Sequence, residues 1–267
     1  MKPAILIAAI LSLGAAAWAQ PAIATGGVLN GASFTKGQAV APGSLVSIFG
    51  TNLATTTASA STVPLSTSLG GVSVTFNNIA APLVFVSHSA ANGDQINAQV
   101  PFELAGSSSA QVVVNDGTAS APQTVQLAAQ APGIFFIGSG QAVAYGNSDF
   151  AFAAPTGSLP GVAAHPAKIL DPQTLVILTT GLGPVNPPIA DGVSDTTAVH
   201  NTTTTPVVTV GGVNAPVVFS GIAPGFPGVY QINITVPAGA PTGDAIPLQI
   251  QMGGITTSNQ ITIAVSN

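Results

Sequence analysis

From residue 20 onward, apolar and polar positions alternate in short runs. In "YQINITV", Tyr230, Ile232, Ile234 and Val236 fall on one side, and Gln231, Asn233 and Thr235 on the other. "IPLQIQM" sets Ile246, Leu248, Ile250 and Met252 on one face, with Pro247 near its start, and "QITIAV" does the same with Ile261, Ile263 and Val265. A period of two predicts strands with one buried side. No segment beyond residue 20 holds a 3.6-residue period. Gly and Pro interrupt the chain every few residues, and the helix formers Glu, Lys and Arg are nearly absent. The pattern predicts an all-β protein.

The strand pattern also repeats. "GSLVSIFGTNL" at 43–53 aligns with "QTLVILTTGLG" at 173–183, setting Leu45 with Leu175, Val46 with Val176 and Ile48 with Leu178. "VTFNNIAAPLVF" at 74–85 matches "VTVGGVNAPVVF" at 208–219, each with a two-residue turn, Asn77-Asn78 or Gly211-Gly212, of the kind tight hairpins need. "QINAQVP" at 95–101 matches "QINITVP" at 231–237, and "VVVNDGTASAPQTVQL" at 112–127 matches "LQIQMGGITTSNQITI" at 248–263. Four blocks in one order predict tandem duplication, each copy carrying about seven short strands at β-sandwich spacing. The expected organisation is a first sandwich over 20–130 and a second over 131–267, with "APGIF" at 131–135 as the junction. Loops around 147–171 and 183–205 lengthen the second copy. The Ser/Thr-rich stretch 54–68 has little to bury and is expected as a mobile loop. A transmembrane barrel also alternates with period two, but it needs strands near ten residues and aromatic girdles. These runs are shorter, and aromatics are 5% of the chain.

The first residues change the picture of location. Lys2 precedes an apolar run over 4–13, and "AWAQ" places Ala17 and Ala19 where a signal peptidase expects small residues. Residues 1–19 are read as a signal peptide rather than a membrane anchor, because a span needs roughly 20 apolar residues. The mature chain is therefore expected outside the cytoplasm, periplasmic or extracellular, with no membrane span. It has no Cys, so disulfides and thiolate metal sites are excluded. Beyond the leader only Lys36 and Lys168 stand against eight acids, a formal net charge of −6, and there is no Arg. Nucleic acid is excluded as a partner, since Lys and Arg supply most of that affinity. So weakly charged a surface repels its neighbours little, which leaves self-association open.

The blocks "APGSLVSIFGTNLA" at 41–54, "DQINAQVPFELAG" at 94–106, "APGIF" at 131–135 and "TGLGPVNPPIADG" at 180–192 together resemble a family of exported acidobacterial (Solibacter-type) C-terminal domains. "PGSLVSIFGTNL" also resembles the opening strand of IPT/TIG domains. The resemblance implies tandem immunoglobulin-like sandwiches. It carries over no catalytic, cofactor-binding or metal-binding residue.

Reading the residues themselves leads to the same place. His88, His165 and His200 show no HxH or HExxH spacing, and a zinc site needs three or four convergent ligands. They are expected as solvated loop histidines. Asp191 and Asp195 in "ADGVSD" could serve a calcium ion, although Asp-Gly is also an ordinary turn. Glu103, the only glutamate, lies nine residues from Asp94, the two flanking one strand in tandem, which does not suit a glycosidase pair facing across a cleft. No GxSxG occurs. Ile96 and Ile232 are expected in the core, so Gln95, Asn97, Gln231 and Asn233 point outward, toward solvent, an adjacent loop, a glycan or a partner protein. Trp18 leaves with the leader, so only Tyr145, Tyr230 and surface Phe remain to stack on a sugar. The expected function is a non-enzymatic structural or protein-interaction module of the envelope or extracellular matrix, with no cofactor. Its expected partners are other exported proteins or further copies of itself. The alternative is a carbohydrate- or polymer-binding module.

Overall fold

The computed structural model describes residues 20–257 and 260–267, and the leader-like segment 1–19 lies outside them. The chain is all-β and forms tandem immunoglobulin-like sandwiches. In the first, one sheet orders its strands Ala22–Asn30, Leu45–Thr51, Asp94–Gln99, Leu83–Ser87 and Ala58–Ser59. The facing sheet runs Gln123–Gln126, Ser109–Asn115, Val72–Phe76 and Ser68–Leu69. Alternation builds these sheets as expected: Val72, Val74 and Phe76 are buried while Ser73 and Thr75 are only partly covered. Each buried Val, Ile or Phe contributes roughly 1.5–3 kcal/mol relative to leaving it exposed.

The second half repeats that strand order. Ala144–Gly146, Leu175–Thr180, Tyr230–Ile234, Val217–Ile222 and Asn201–Thr202 lie side by side in one sheet. Thr262–Ser266, Gly243–Met252 and Val207–Val210 lie in the other. One hydrophobic cluster gathers residues from Val28 to Leu127, and a separate one gathers residues from Ile134 to Val265.

Strand register tests the repeat more sharply than letters do. Ile48 faces Ile96 and Ser47 faces Asn97 in the first copy, while Ile177 faces Ile232 and Val176 faces Asn233 in the second. The structural equivalents are therefore Val46 with Leu175, Ile48 with Ile177 and Phe49 with Leu178. The alignment of Leu45 with Leu175 and Ile48 with Leu178 is off by one residue. That slip matters because a one-residue shift exchanges the two faces of a strand. Ile48 and Ile177 are both fully buried, whereas Leu178 is partly exposed.

Two further features recur at equivalent places. Asn77 and Asn78 (φ 48° and 65°) and Gly211 and Gly212 (φ 59° and 83°) make the same left-handed two-residue hairpin. A register break falls between Leu83 and Phe85 in one copy and between Val217 and Phe219 in the other, a bulge at the same point of the same strand pair. Register also reveals a repeated block that letters hide. Ala22 and Ile23 pair with Thr51 and Gly50 just as Gly133 and Ile134 pair with Thr180 and Thr179. "APGIF" thus contains the first strand of the second sandwich and corresponds to "QPAIA" at 20–24.

The Ser/Thr-rich stretch 54–68 is not the mobile loop its composition suggested. Ala58–Ser59 pairs with Phe85 and Val86 as an edge strand, Ala60 N–H donates to Val84 O, and Leu65 N–H donates to Gly192 O. Backbone pairing, blind to side-chain apolarity, holds it.

Candidate functional site

Asp94 is the most engaged acid of the first sandwich. It is 3% exposed and accepts from Leu53 N at 2.7 Å, Ser89 N at 3.1 Å and, at 3.4 Å, Ala54 N. His88 Nδ1 lies 2.9 Å from Oδ1, the oxygen that also accepts from Ser89 N. Burial opposes the charge, but the Ser89 and Leu53 amides and His88 outweigh it and hold the carboxyl below its ordinary range. At the equivalent register position stands Tyr230, fully buried, its hydroxyl donating to Gly183 O at 2.7 Å. An acceptor in one copy and a donor in the other pin the same loop, so Asp94 acts as a loop anchor.

The side chains of His88 and His165 are exposed, as expected of loop histidines, and that of His200 is buried. Each pairs with an aspartate: His88 with Asp94, His165 with Asp149 at 2.9 Å, and His200 with Asp195 at 3.3 Å. His200 is only 6% exposed, and its Nδ1 lies 2.7 Å from Pro187 O. His165 meets acceptors on both nitrogens, Pro166 O and the Asp149 carboxylate, and these raise its pKa above the usual imidazole value. Asp149 is further held by Ala151 N and Gln173 Nε2, and Gln173 Oε1 in turn accepts from Ser148 Oγ at 2.6 Å. Neighbouring aspartates at 94, 149 and 195 lie six, sixteen and five residues from their histidines, and no short motif marks the pairing.

Asp191 and Asp195 do not converge on a common ion site. Asp195 closes a local turn, accepting from Thr197 Oγ1, Thr197 N and Ala198 N, which with His200 hold it well below the carboxylate range. Asp191 instead reaches across to the first sandwich, where its Oδ1 accepts from Phe102 N at 3.0 Å. Its side chain also meets that of Glu103. Burial and the Glu103 carboxyl push Asp191 up to about 7, against the pull of the Phe102 amide. Glu103 therefore partners Asp191, not Asp94. Among the described residues no three His, Asp or Glu side chains gather to hold a metal.

That carboxyl pair belongs to a larger joint between the sandwiches. Asn30 Nδ2 donates to Ala131 O at 2.8 Å, Leu45 N to Thr180 Oγ1 at 2.8 Å, and Gly192 N to Gln99 Oε1 at 2.6 Å. Thr180 Oγ1 also donates to Gly228 O at 2.8 Å. Gly181, at φ 82°, sits so close to Ala131 O that a Cβ there would collide with it. Phe34 lies edge-on to Phe136 with ring centroids 6.5 Å apart.

The outward amides serve the sheet. Asn97 Oδ1 accepts from Ser47 Oγ at 3.0 Å and Gln95 Nε2 at 2.8 Å. In the second copy Val176 replaces Ser47, and Asn233 Oδ1 is left buried without a partner. One substitution should therefore act oppositely in the two copies. Asn97→Val should cost about 1–2 kcal/mol, whereas Asn233→Val should be neutral or stabilise by about 1 kcal/mol, read by urea unfolding. Equal losses at both sites would contradict this assignment.

Of the aromatics proposed to meet a sugar, Tyr230 is buried. Tyr145 lies between Phe150 and Phe152, with centroids 6.2 Å from each, and Phe150 is 68% exposed.

Residues 30–127 match the IPT/TIG domain family. The solved structure described as "Tandem Ig repeats of Dlar" aligns with 92% of this chain and 98% of its own, at 12% identity and a TM-score of 0.23. No curated protein matches the chain.

Proposed function

We propose that the protein is an exported, non-catalytic structural and protein-interaction module of the cell envelope or extracellular matrix, of the acidobacterial type its sequence resembles. IPT/TIG immunoglobulin-like domains are generally structural or protein-interaction modules, and the match over 30–127 gives that expectation a place in this chain. The observation that carries the reading is the joint. The two sandwiches, divided at about 130/131, meet through backbone and side-chain hydrogen bonds from both halves, and the pair Glu103 and Asp191 is used there. Ionisable side chains elsewhere hold loops: Asp94 pins 53–54 and 88–89, and Asp195 pins 197–200. Two modules joined by these bonds and presenting sheet faces and loop ends suit such a role.

A glycan-binding reading has one observation in its favour, the row of Phe152, Tyr145 and exposed Phe150 beside the Ser148, Asp149 and Gln173 polar cluster. The two readings separate in one experiment. The mature chain, displayed on a glycan array and crosslinked in the secreted and envelope fractions of its host, should give protein adducts and a blank array. Binding to a neutral polysaccharide with no protein adduct would reverse the assignment. N-terminal sequencing of exported protein should begin at Gln20; retention of residues 1–19 would remove the export claim.

A further inference from the structure

The joint between the sandwiches has a counterpart at each outer end of the chain. Register sets Asn30 equivalent to Gly146, since these face Val46 and Leu175. Four residues on in each copy stands a phenylalanine in the left-handed region, Phe34 at φ 52° and Phe150 at φ 56°, each with its N–H donating to the carbonyl four residues back. For a bulky side chain that conformation is uncommon and strained, and it points to a role. In the first copy the role is visible: Phe34 packs on Phe49 and against Phe136 of the next sandwich. Phe150 has the same backbone, and its ring lies against Tyr145 of its own sandwich, with centroids 6.2 Å apart. Leu170, also left-handed at φ 55° and 62% exposed, lies in the segment corresponding to residues just before Leu45, another joint residue. Nor is this end sealed by the residues that lengthen the second copy. Phe152–Ala153 and Ala164–His165 add to the sheet edge beside Ala144–Gly146 and leave Phe150 open.

The opposite end of the chain offers the matching surface. In the joint, the second sandwich presents Gly133, Phe136 and Thr180 to the first, flanked by Pro132 and by Ile134, which packs into its own core. Their equivalents on the first sandwich are Pro21, Ala22, Ile23, Thr25 and Thr51. Of these, Ala22, Thr25 and Thr51 are exposed and Ile23 is half-buried. Thr51 keeps the residue type that accepts Leu45 N within the joint. The residue equivalent to Leu45 is Thr174, whose buried hydroxyl lacks a partner.

We propose that the chain associates head to tail with further copies of itself, the Phe150–Leu170 end of one second sandwich docking on the Ala22–Thr25 and Thr51 end of another first sandwich. The intermolecular contact uses the same strand ends as the internal joint but not its Asn30 and Gln99 bonds, since Gly146 and Thr235 stand at those positions; it is heterologous and extends instead of closing into a two-fold dimer. This rests on the structural-module reading, and it names the partner as a second copy.

The test is sedimentation velocity of the mature chain, 20–267, from about 1 μM to several hundred μM. Wild type should form concentration-dependent dimers and longer species. Phe150→Ser combined with Leu170→Ser should weaken association about tenfold or more while circular dichroism stays unchanged. Thr25→Phe, which restores the equivalent of Phe136, should strengthen it several-fold, and adding Phe150→Ser should cancel that gain. Monomers at all concentrations in both wild type and Thr25→Phe would overturn the proposal. So would a closed dimer, association untouched by Phe150→Ser, or retention of a neutral glycan through Phe150. Crosslinks to other exported proteins alongside strictly monomeric behaviour would sink the self-association and leave the structural-module reading standing.

Discussion

Replacing Asp94 with alanine should destabilise the first sandwich by roughly 3–5 kcal/mol, the largest single effect expected outside the apolar core. The carboxylate is buried and accepts three backbone N–H groups besides meeting His88. Alanine removes every acceptor at once and strands buried donors from two loops, leaving the His88 N to Thr57 Oγ1 bond and the adjoining Ala58–Ser59 pairing to hold them together. Asp94→Asn should lose less, about 2 kcal/mol, because one oxygen remains to receive the Leu53 amide. Since the folded-state pKa is lowered, the carboxylate's contribution is present above the ordinary aspartate value and is lost as pH falls through the folded value. Urea unfolding at pH 7, followed through the first sandwich's transition, is the measurement. A loss for Asp94→Ala below about 1.5 kcal/mol would mean that solvent replaces the anchor.

The second large effect concerns pH. Asp191 carries a raised pKa of about 7 against an ordinary value of 3.8, so the closed joint holds a proton that separated sandwiches would release. The resulting stabilisation is fully present below about pH 4, declines as pH rises, and is gone once pH passes about 7. Because Asp191 is only half buried, solvent screening should limit it to about 1–2 kcal/mol. The groups facing it are Glu103 from the first sandwich and, from its own side, the buried Tyr230 phenol, whose pKa is raised by burial and by the Asp191 charge. Asp191→Asn keeps an oxygen for the Phe102 amide and gives Glu103 a permanent donor. That variant should flatten the fall in stability between pH 5 and 8 and be the more stable protein at pH 8. His165, also raised, supplies a smaller trend of the same sign that Asp191→Asn leaves in place. A pH profile for Asp191→Asn that overlays the wild type would place the shared proton elsewhere.

Much of the architecture could be read from alternation and turns. Tyr230, Ile232 and Ile234 face inward as their period requires, and the Asn77-Asn78 and Gly211-Gly212 hairpins adopt the left-handed geometry their residues allow. The polar groups were less legible. The amides of Asn97 and Asn233 look alike in "QIN", yet one has two partners and the other's oxygen has none, because a residue on a different strand is Ser in one copy and Val in the other. The aspartate partners of the histidines, and the burial of His200, went unseen because the aspartates share no recognisable spacing with them. Glu103 and Asp191 stand 88 positions apart, and nothing local to either hints at the other.

Sheet formation, hairpin positions, the doubled design and the scarcity of cations follow from local periodicity, turn chemistry and composition, since each acts over a few residues. Which copies of a strand correspond, which carboxyls share a proton and which aromatic meets a neighbour depend on how distant segments slide past one another. A slip of one position exchanges inside for outside, and letter matching is blind to it. Only folded register distinguishes Phe34, 41% exposed beside Phe136 at the joint, from its twin Phe150, 68% exposed.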